Sequence, residues 1–308
     1  MSDAITAAIV GAGAIGARLD APGASPPLTH AGGYRSAGFA LAAFVDVDPA
    51  AATLARQWGC AYYADFDAMM RACAPQIISL AVPAAARAEI LRRALHFRPR
   101  AVIAEKPLTS SLGESEAIVA LYRQAGIPLL VNYSRRFIPA WRALQGAAAL
   151  SATILYAKGL RQNGTHALDL CRMLFGECLE ARPLAAKSDY WSDDPTVSAF
   201  LRFERCNEVF LHGLNEQNFT LFEVDIIAPS WRVAVDRDGR RLRRYALQEN
   251  AGIPPGRRLV EGKEEDTGAA MAMTNLMHHL RDVLGGAEPW CRGDDAIAAE
   301  RIADLLSR

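Results

Sequence analysis

A short apolar run that opens into closely spaced glycines limits the fold of this chain more than any other feature. Ala7–Val10 runs directly into the hexapeptide GAGAIG at residues 11–16. This G-x-G-x-x-G spacing predicts a β-strand, a tight turn and a helix packed closely on the strand. Backbone amides at such a helix start attract the pyrophosphate of a dinucleotide. The residues expected at this phosphate are Gly11, Gly13, Ala14, Ile15 and Gly16. A tight turn that binds nothing has the same pattern, so both interpretations are open at this point.

A second apolar run, residues 39–45, ends at Asp46. An acidic side chain at this place accepts hydrogen bonds from the ribose hydroxyls of a bound dinucleotide. The same carboxylate repels a 2′-phosphate by roughly 4 kcal/mol at about 4 Å in an effective dielectric near 20. Asp46 therefore predicts NAD rather than NADP as cofactor. The alternative is that Asp46 merely opens the next turn, but Asp48-Pro49 already has the pattern of a helix N-cap.

The segment between these two motifs is rich in proline and glycine. Pro22, Pro26 and Pro27 predict that the first crossover helix is interrupted and that an ordered loop lies near the cofactor. His30 follows this loop. It either contacts the nicotinamide half of a cofactor or is a histidine of a surface loop, and the sequence favours neither.

Strands and helices alternate from the glycine motif to about residue 133. Predicted strands at 77–82, 101–104 and 128–133 accompany predicted helices at 84–96 and 112–126. Alternation of this kind predicts an α/β fold with a doubly wound parallel sheet, a Rossmann domain, over residues 1–133.

The pattern changes in residues 134–308, where strands follow one another with few helices between them. Five strands are predicted, at 151–158, 197–203, 208–214, 219–227 and 231–236, and two closing helices at 271–284 and 295–306. This order predicts a second, α+β domain with a large, open, mostly antiparallel sheet, the last helix being free to pack back on the first domain. An open apolar sheet face needs a partner, so we expect a homodimer or homotetramer formed through this sheet.

Composition excludes several classes of function. Lys plus Arg and Asp plus Glu both total 34, so no basic excess indicates a nucleic-acid or membrane partner. No signal peptide or membrane span is recognisable, and six cysteines without C-x-x-C pairs indicate reduced thiols in a cytoplasm. His278-His279 lacks the spacing of a metal site, so no metal is expected. The arginine-rich run 237–244 is interpreted as a solvated strand face, because alternate residues of a strand point to opposite sides.

The tripeptide Glu105-Lys106-Pro107 follows a predicted core strand at its carboxyl end, where open α/β sheets bind their ligands. A lysine at this position can hydrogen-bond a substrate oxygen and stabilise it while a carbinol becomes a carbonyl. The alternative is a surface ion pair that involves Glu105.

Together these motifs, with Val82-Pro83 and Arg135-Arg136-Phe137, resemble the glucose–fructose oxidoreductase / inositol dehydrogenase (Gfo/Idh/MocA) family along essentially the whole chain. The resemblance implies NAD(P)-dependent oxidation or reduction of a hydroxyl on a sugar, cyclitol or sugar nucleotide. It also implies a catalytic Lys106 and dimer contacts from the open sheet. The cofactor contacts expected besides the glycine turn and Asp46 are Val82, Pro83, Glu105 and Lys106.

The second catalytic element of that family, Asp-x-Gly-x-His, matches residues 162–166 only in part, because Gln162 replaces the aspartate. The match implies that His166 takes the hydroxyl proton and that Asp169, three residues on, orients it or binds substrate. Gln162, Asn163 and Arg135 are the expected substrate contacts besides His166. An amide cannot move a proton, so no acid–base role transfers to position 162. A second departure is Arg87, where many relatives have histidine.

An NAD-dependent oxidoreductase of a carbohydrate-like substrate is the leading hypothesis. Two alternatives are open. One is a dinucleotide-responsive regulatory protein without catalysis, which the glutamine at position 162 favours. The other is an NAD-assisted glycosidase, in which transient oxidation activates elimination and no net NADH forms.

Overall fold

The computed structural model describes residues 4–251, 254 and 256–308. The chain forms two compact units. Unit 1 contains the described residues up to Phe137 together with Ala270–Ile297. Unit 2 contains the described part of Ile138–Ala269 together with Ala298–Arg308. Among these described residues, no helix is both long enough and apolar enough to cross a membrane.

Unit 1 is built on a six-stranded parallel sheet. Its strands are β1 (Thr6–Val10), β2 (Ala40–Val45), β3 (Ala61–Tyr63), β4 (Ile77–Leu80), β5 (Ala101–Ala104) and β6 (Leu129–Val131). The order across the sheet is β3-β2-β1-β4-β5-β6, and each neighbouring pair is parallel. Every residue of β4, β5 and β6 is buried, as expected for strands that are covered on both faces. The predicted Rossmann sheet is confirmed.

Five helices flank this sheet. They are α1 (His30–Ser36), α2 (Ala51–Trp58), α3 (Phe66–Cys73), α4 (Ala84–His96) and α5 (Leu112–Ala125). The two with predicted bounds, α4 and α5, begin and end close to those positions. At the start of α5, Ser111 accepts a hydrogen bond from the Glu114 amide, and the helix ends at Gly126 in the left-handed conformation (φ +67°). Both features are also visible in the sequence, as Ser111 with Glu114 three residues on and as a glycine at position 126.

The glycine motif opens not a full helix but a five-residue π-helical turn, Ala14–Arg18. A loop follows, and α1 begins only at His30, where Thr29 Oγ1 accepts from the Gly32 amide at 3.1 Å. The Asp20 carboxylate closes the loop by accepting hydrogen bonds from the amides of Leu28 (2.8 Å) and Thr29 (2.7 Å). The predicted interruption of the crossover helix is confirmed. As a result, His30 is the first residue of a separate helix, α1.

Unit 2 is built on an eight-stranded mixed sheet. Its strands are β7 (Ala149–Ala157), β8 (Cys178–Lys187), β9 (Thr196–Phe203), β10 (Cys206–Leu214), β11 (Phe222–Ile227), β12 (Trp231–Asp236), β13 (Arg241–Ala251) and β14 (Gly256–Asp266). The order is β14-β13-β12-β11-β7-β10-β9-β8, with β7 and β10 parallel and the other pairs antiparallel. The predicted large, mostly antiparallel sheet is confirmed. β8 and β14 were not predicted, and the start of β13 was expected as the arginine-rich strand run at 237–244.

Four further helices complete the two units. In unit 2, α6 (Pro139–Arg142) precedes β7, and α7 (Thr165–Phe175) connects β7 to β8. In unit 1, α8 (Ala272–Leu284) packs on α1, where a Cβ on Gly33 would lie 2.8 Å from Met273 Cγ. The last helix, α9 (Gly293–Leu306), begins in unit 1 and ends in unit 2.

The arginine-rich run at the β12–β13 hairpin faces acidic residues of the neighbouring strands. Arg241 lies 3.4 Å from Asp266, and Arg244 lies 3.4 Å from Glu265. Arg243 pairs with Asp236 on the adjacent strand. These arginines are all partly exposed, so the run is an ion-paired strand surface, in agreement with its interpretation as a solvated face.

Candidate active site

The glycine turn after β1 has the shape that a bound pyrophosphate requires. Gly11 has a φ of +94°, and a Cβ there would lie 2.7 Å from the carbonyl carbon of Ala81. A Cβ on Gly16 would lie 2.0 Å from the Gly11 oxygen, so neither position admits a side chain. At Gly13, by contrast, a Cβ would point into open space, with no atom within 4 Å. Two glycines thus serve the turn itself, while the third leaves the backbone open to a ligand, which fits a dinucleotide.

Asp46 stands at the end of β2, beside this turn. Its carboxylate accepts hydrogen bonds from the Ala12 amide (2.8 Å) and the Asp48 amide (3.0 Å). Asp48 accepts from the Ala50 amide just before α2 and pairs with Arg18 at 2.9 Å. The N-cap of α2 is Ala50, without a side-chain cap bond, so the N-cap role expected of Asp48 is wrong and its carboxylate instead closes the turn before the helix. Asp46 has a separate position beside the glycine turn. Each Asp46 oxygen retains a second lone pair, which suits a ribose hydroxyl.

The turn that carries Lys106 follows β5 at the carboxyl edge of the sheet, next to the end of β4. Its Glu105 amide donates to the Leu80 carbonyl at 3.0 Å. The side chain of Arg87, only 3% exposed, holds the same turn by its carbonyls. Arg87 Nη1 donates to the carbonyls of Glu105 (2.5 Å), Pro107 and Leu108 (3.3 Å), and Nη2 donates to that of Val82 (2.5 Å). One guanidinium thus joins the Val82-Pro83 segment to the lysine turn.

The carboxylate of Glu105 points inward and is hydrogen-bonded from two sides. Its Oε1 accepts from His30 Nε2 at 3.0 Å and from Asn132 Nδ2 at 2.7 Å. Burial by itself raises the pKa of Glu105, but the interaction with His30, the Asn132 hydrogen bond and the nearby charge of Lys106 outweigh it. The pKa of Glu105 is therefore held below its ordinary value. Glu105 is a buried carboxylate and not part of a surface ion pair.

His30 belongs to neither of the two environments considered for it. Its ring is fully buried, with an exposed fraction of 0%. It lies between Ser79 of β4 and Glu105, with Nδ1 3.1 Å from Ser79 Oγ. A surface-loop histidine is thus excluded, and the ring contacts side chains of the protein core rather than an open cofactor surface. Sequence reasoning missed this role because Ser79 and Glu105 are 49 and 75 residues away.

In unit 2, the second predicted motif starts as a π-helical turn, Leu160–Gly164, and continues as α7. His166 is 9% exposed and Asp169 is fully buried, both in the first turns of α7. Asp194 holds the π-turn by accepting from the amides of Arg161 and Gln162, each at 2.8 Å. Burial raises the pKa of Asp194 in spite of these two bonds. Nothing in the local sequence pointed to Asp194, which lies about 30 residues from the turn.

The residues expected to contact substrate differ in their exposure and in their hydrogen bonds within the protein. Gln162 is exposed on the π-turn. Asn163 donates its amide to the carbonyls of Ala157 (2.8 Å) and Lys158 (3.3 Å), which fixes the end of β7. In unit 1, Arg135 is half-buried in the turn after β6, whereas Arg136 is buried and lies 3.2 Å from Asp295. Arg136 is therefore a structural residue of unit 1.

The strand order, the glycine turn after β1 and the acidic residue after β2 define a dinucleotide-binding Rossmann domain. Residues 5–133 match the GFO_IDH_MocA family profile, described as "Oxidoreductase family, NAD-binding Rossmann fold". This N-terminal domain is therefore an NAD-binding Rossmann domain of the Gfo/Idh/MocA oxidoreductase family, and the resemblance seen in the motifs is confirmed over residues 5–133. A search of curated protein sequences found no significant match.

Several solved structures share the fold over nearly their whole length. A UDP-N-acetylglucosamine 3-dehydrogenase from Acidithiobacillus ferrooxidans is 18% identical with a TM-score of 0.75, covering 98% of this chain and 96% of its own. A levoglucosan dehydrogenase, solved with NADH and L-sorbose, is 15% identical with a TM-score of 0.77, covering 98% and 95%. An oxidoreductase from Agrobacterium radiobacter, solved with NAD⁺, L-tartaric acid and magnesium, is 16% identical with a TM-score of 0.73, covering 98% and 95%. At these identities the likeness establishes the fold alone.

Proposed function

We propose that the protein transfers a hydride between a nicotinamide cofactor and a secondary alcohol of a sugar, cyclitol or sugar nucleotide. The bound cofactor supplies the hydride acceptor or donor at C4 of its nicotinamide. In the oxidative direction, the carbinol C–H bond breaks as the hydride leaves, and the hydroxyl proton passes to a base of the protein. Lys106 is the residue proposed to hydrogen-bond the reacting oxygen, with Val82, Pro83 and Glu105 on the cofactor side.

The observation that carries this proposal is the position of Lys106, a lysine in a chain whose basic residues are mostly arginines. Only four of the 34 basic residues are lysines, and Lys106 is the sole lysine among residues 1–157. It stands at the carboxyl edge of the parallel sheet, in a turn held by Arg87 and by the bonds to Glu105. Arginine keeps its proton at all relevant pH values, whereas a lysine amine can donate and regain one. Lys106 can therefore donate a hydrogen bond to the reacting oxygen in both its hydroxyl and its carbonyl form.

His166 is the proposed acceptor of the hydroxyl proton, with Asp169 three residues on along α7. Gln162 and Asn163, from the turn before α7, and Arg135 of unit 1 are the proposed substrate contacts. Gln162 is exposed and its amide can hydrogen-bond hydroxyls without carrying charge, which favours a polyhydroxylated substrate over a cationic one.

The test is a screen of NAD⁺ and NADP⁺ reduction against polyols, sugars and nucleotide sugars. With any substrate so found, Lys106→Met should lower kcat by at least about 100-fold while NAD affinity stays within about threefold. Lys263→Met, at an exposed position of β14, is the matched control and should behave like the unchanged protein. Retained turnover in Lys106→Met would remove this residue from the mechanism.

A parallel pair of variants tests the proton acceptor. His166→Ala should lower kcat by about 100- to 10,000-fold. His212→Ala, at an exposed position of β10, should leave kcat unchanged. Equal kcat values in the two variants would exclude His166 as the base.

The two alternative functions give different products in the same screen. A regulatory protein binds NAD(H) but shows no turnover with any substrate, and a glycosidase releases sugar without net NADH. Net cofactor reduction that requires Lys106 excludes both.

NAD is the proposed cofactor in preference to NADP. Asp46 and Asp48 place two carboxylates at the end of β2, and the nearby cation Arg18 is already paired with Asp48. A 2′-phosphate there meets net negative charge. Calorimetric titration should give a lower Kd for NAD⁺ than for NADP⁺, and the reverse order would contradict the assignment.

A homodimer or homotetramer is proposed through the outer face of the unit 2 sheet. Phe210 and Ile227 on this face are 41% and 40% exposed, while their neighbours Leu211 and Ile226 are buried. Exposed apolar side chains on one sheet face favour association. Analytical ultracentrifugation should show an oligomer that Phe210→Glu converts to monomer, and a monomeric parent protein would refute the proposal.

A further inference from the structure

A chain of buried polar side chains leads from the interior of unit 1 to the lysine turn. Tyr34 Oη lies 2.6 Å from Ser79 Oγ, Ser79 Oγ lies 3.1 Å from His30 Nδ1, and His30 Nε2 lies 3.0 Å from Glu105 Oε1. Tyr34, Ser79 and His30 all have an exposed fraction of 0%. Three elements thus contribute, α1 with two residues, β4 with one and the end of β5 with one.

The direction of the hydrogen bond at Glu105 is fixed by its carboxylate, whereas the Tyr34–Ser79 bond can run either way. Burial raises the pKa of Tyr34, so its phenol keeps the proton, and either oxygen of this pair can donate. At the other end Glu105 is ionised and can only accept, so His30 Nε2 carries the proton between them. Both ring nitrogens thus have a partner, Ser79 Oγ at Nδ1 and Glu105 Oε1 at Nε2, so the imidazole is held in one orientation.

The Glu105 carboxylate is fixed in turn. Both of its hydrogen bonds, from His30 and from Asn132, reach the same oxygen, Oε1. The Glu105 side chain as a whole is 13% exposed. The adjacent residue is Lys106, whose positive charge lies close enough to favour the ionised form of Glu105. The other charge at the turn is the Arg87 guanidinium, which comes from α4 and bonds the Glu105 carbonyl.

We infer that His30 is a positioning residue of the active site, which holds the Glu105 carboxylate in place and through it the ammonium of Lys106. This inference rests on the proposed function for its kinetic consequence. This role differs from a cofactor contact and from simple core packing, because it depends on one hydrogen-bond donor, His30 Nε2, at the Glu105 carboxylate. A side chain that restores this donor should therefore restore the function.

Two substitutions separate the two ring nitrogens. In His30→Gln the side-chain amide reaches the position of Nε2 and can still donate to Glu105. In His30→Asn the shorter amide reaches the position of Nδ1, so it keeps the contact to Ser79 and leaves Glu105 without this donor. His30→Asn removes one methylene more than His30→Gln, so His30→Met is the packing control: it fills about the volume of glutamine but donates no hydrogen bond, and a packing role alone predicts that it behaves like His30→Gln.

The first measurement is steady-state kinetics with the best substrate of the screen. His30→Asn should lower kcat by about 10- to 100-fold with KM and the Kd for NAD⁺ within about threefold, as expected when a reacting group is misplaced. His30→Gln should retain kcat within about threefold. Equal kcat values in the two variants would overturn the inference.

The second measurement needs no substrate. After reductive ¹³C-methylation, the four lysines give four dimethylamine NMR signals besides that of the amino terminus, and Lys106→Met identifies the signal of Lys106. This signal should move in His30→Asn and stay in place in His30→Gln. If the Lys106 signal has the same position in the parent protein, His30→Asn and His30→Gln, His30 does not position Lys106, whatever the kinetics show.

The kinetic and NMR measurements distinguish a failure of the inference about His30 from a failure of the proposed function. A parent protein that binds no NAD(H) or NADP(H) and turns over no substrate defeats the proposed function, while the NMR arm still decides the place of His30. Should His30→Asn fail to fold, His30→Met takes its place, because it also removes the Nε2 donor to Glu105 and fills about the volume of glutamine. It should then move the Lys106 signal in the same direction, and an unmoved signal would again overturn the inference.

Discussion

Arg87 offers the sharpest test of how the lysine turn is held. Its Nη1 has two N–H bonds for three carbonyls, and its Nη2 adds a fourth contact, so about three full hydrogen bonds are present. Each bond to a charged donor contributes about 1.5–3 kcal/mol, against several kcal/mol to bury the guanidinium. Arg87→Met removes the donors and leaves buried carbonyls without partners. We therefore expect the free energy of unfolding of unit 1 to fall by about 3 kcal/mol.

Calorimetry converts this estimate into a measurable shift. For a unit of roughly 150–250 residues, 1 kcal/mol corresponds to about 2–4 °C in Tm, so the transition of unit 1 should move down by about 6–12 °C. Arg92→Met is the matched control, because Arg92 lies on the same helix but is exposed and meets Glu114 only at 3.5 Å. It should shift Tm by less than about 2 °C. An Arg87→Met protein as stable as Arg92→Met would refute the view that this guanidinium holds the turn.

Three further predictions concern the cofactor, acid stability and thiol reactivity. Asp46→Ala should weaken NAD⁺ binding by about tenfold or more in calorimetric titration, because the ribose loses its acceptors; unchanged affinity would contradict that contact. The folded state keeps Glu105 ionised below its ordinary pKa of 4.5, so unfolding takes up a proton as the pH falls beneath that value. The free energy of unfolding, measured by urea titration, should therefore decline as the pH falls below 4.5. In Glu105→Gln this decline with pH should be shallower, and an equal decline in both proteins would contradict the prediction. Burial raises the pKa of Cys60 to about 11, so iodoacetamide should label this thiol slowly at neutral pH and faster towards that value; fast labelling near neutral pH would contradict it.

Local signals account for the parts of the fold that were predicted closely. The helix from Ala84 to His96 and the strand from Ala101 to Ala104 have the predicted bounds, because each is limited by a proline, glycine or polar residue within a few positions. The strand β14 escaped prediction because charged residues dominate it, and β13 was expected only in its arginine-rich first part. Their stability comes from cross-strand pairs such as Arg244 with Glu265, which a reading along the chain does not show.

The candidate site divides in the same way. The glycine turn, Asp46 and the lysine turn could be recognised because each is a short motif whose chemistry depends on neighbouring residues. The burial of His30, the carbonyl contacts of Arg87 and the role of Asp194 could not, since their partners come from other strands and helices. A buried histidine and a loop histidine look alike until the partner of each ring nitrogen is known.

By itself, the sequence determined the class of fold and the residues able to bind a dinucleotide and exchange a proton, because spacing along a strand or turn sets what the backbone can do locally. Only the tertiary structure decided which of these groups are held rigidly and by what. Hydrogen bonds such as those of His30 and Arg87 join residues tens of positions apart, and their strength depends on burial, which exists only once the sheet and helices have packed.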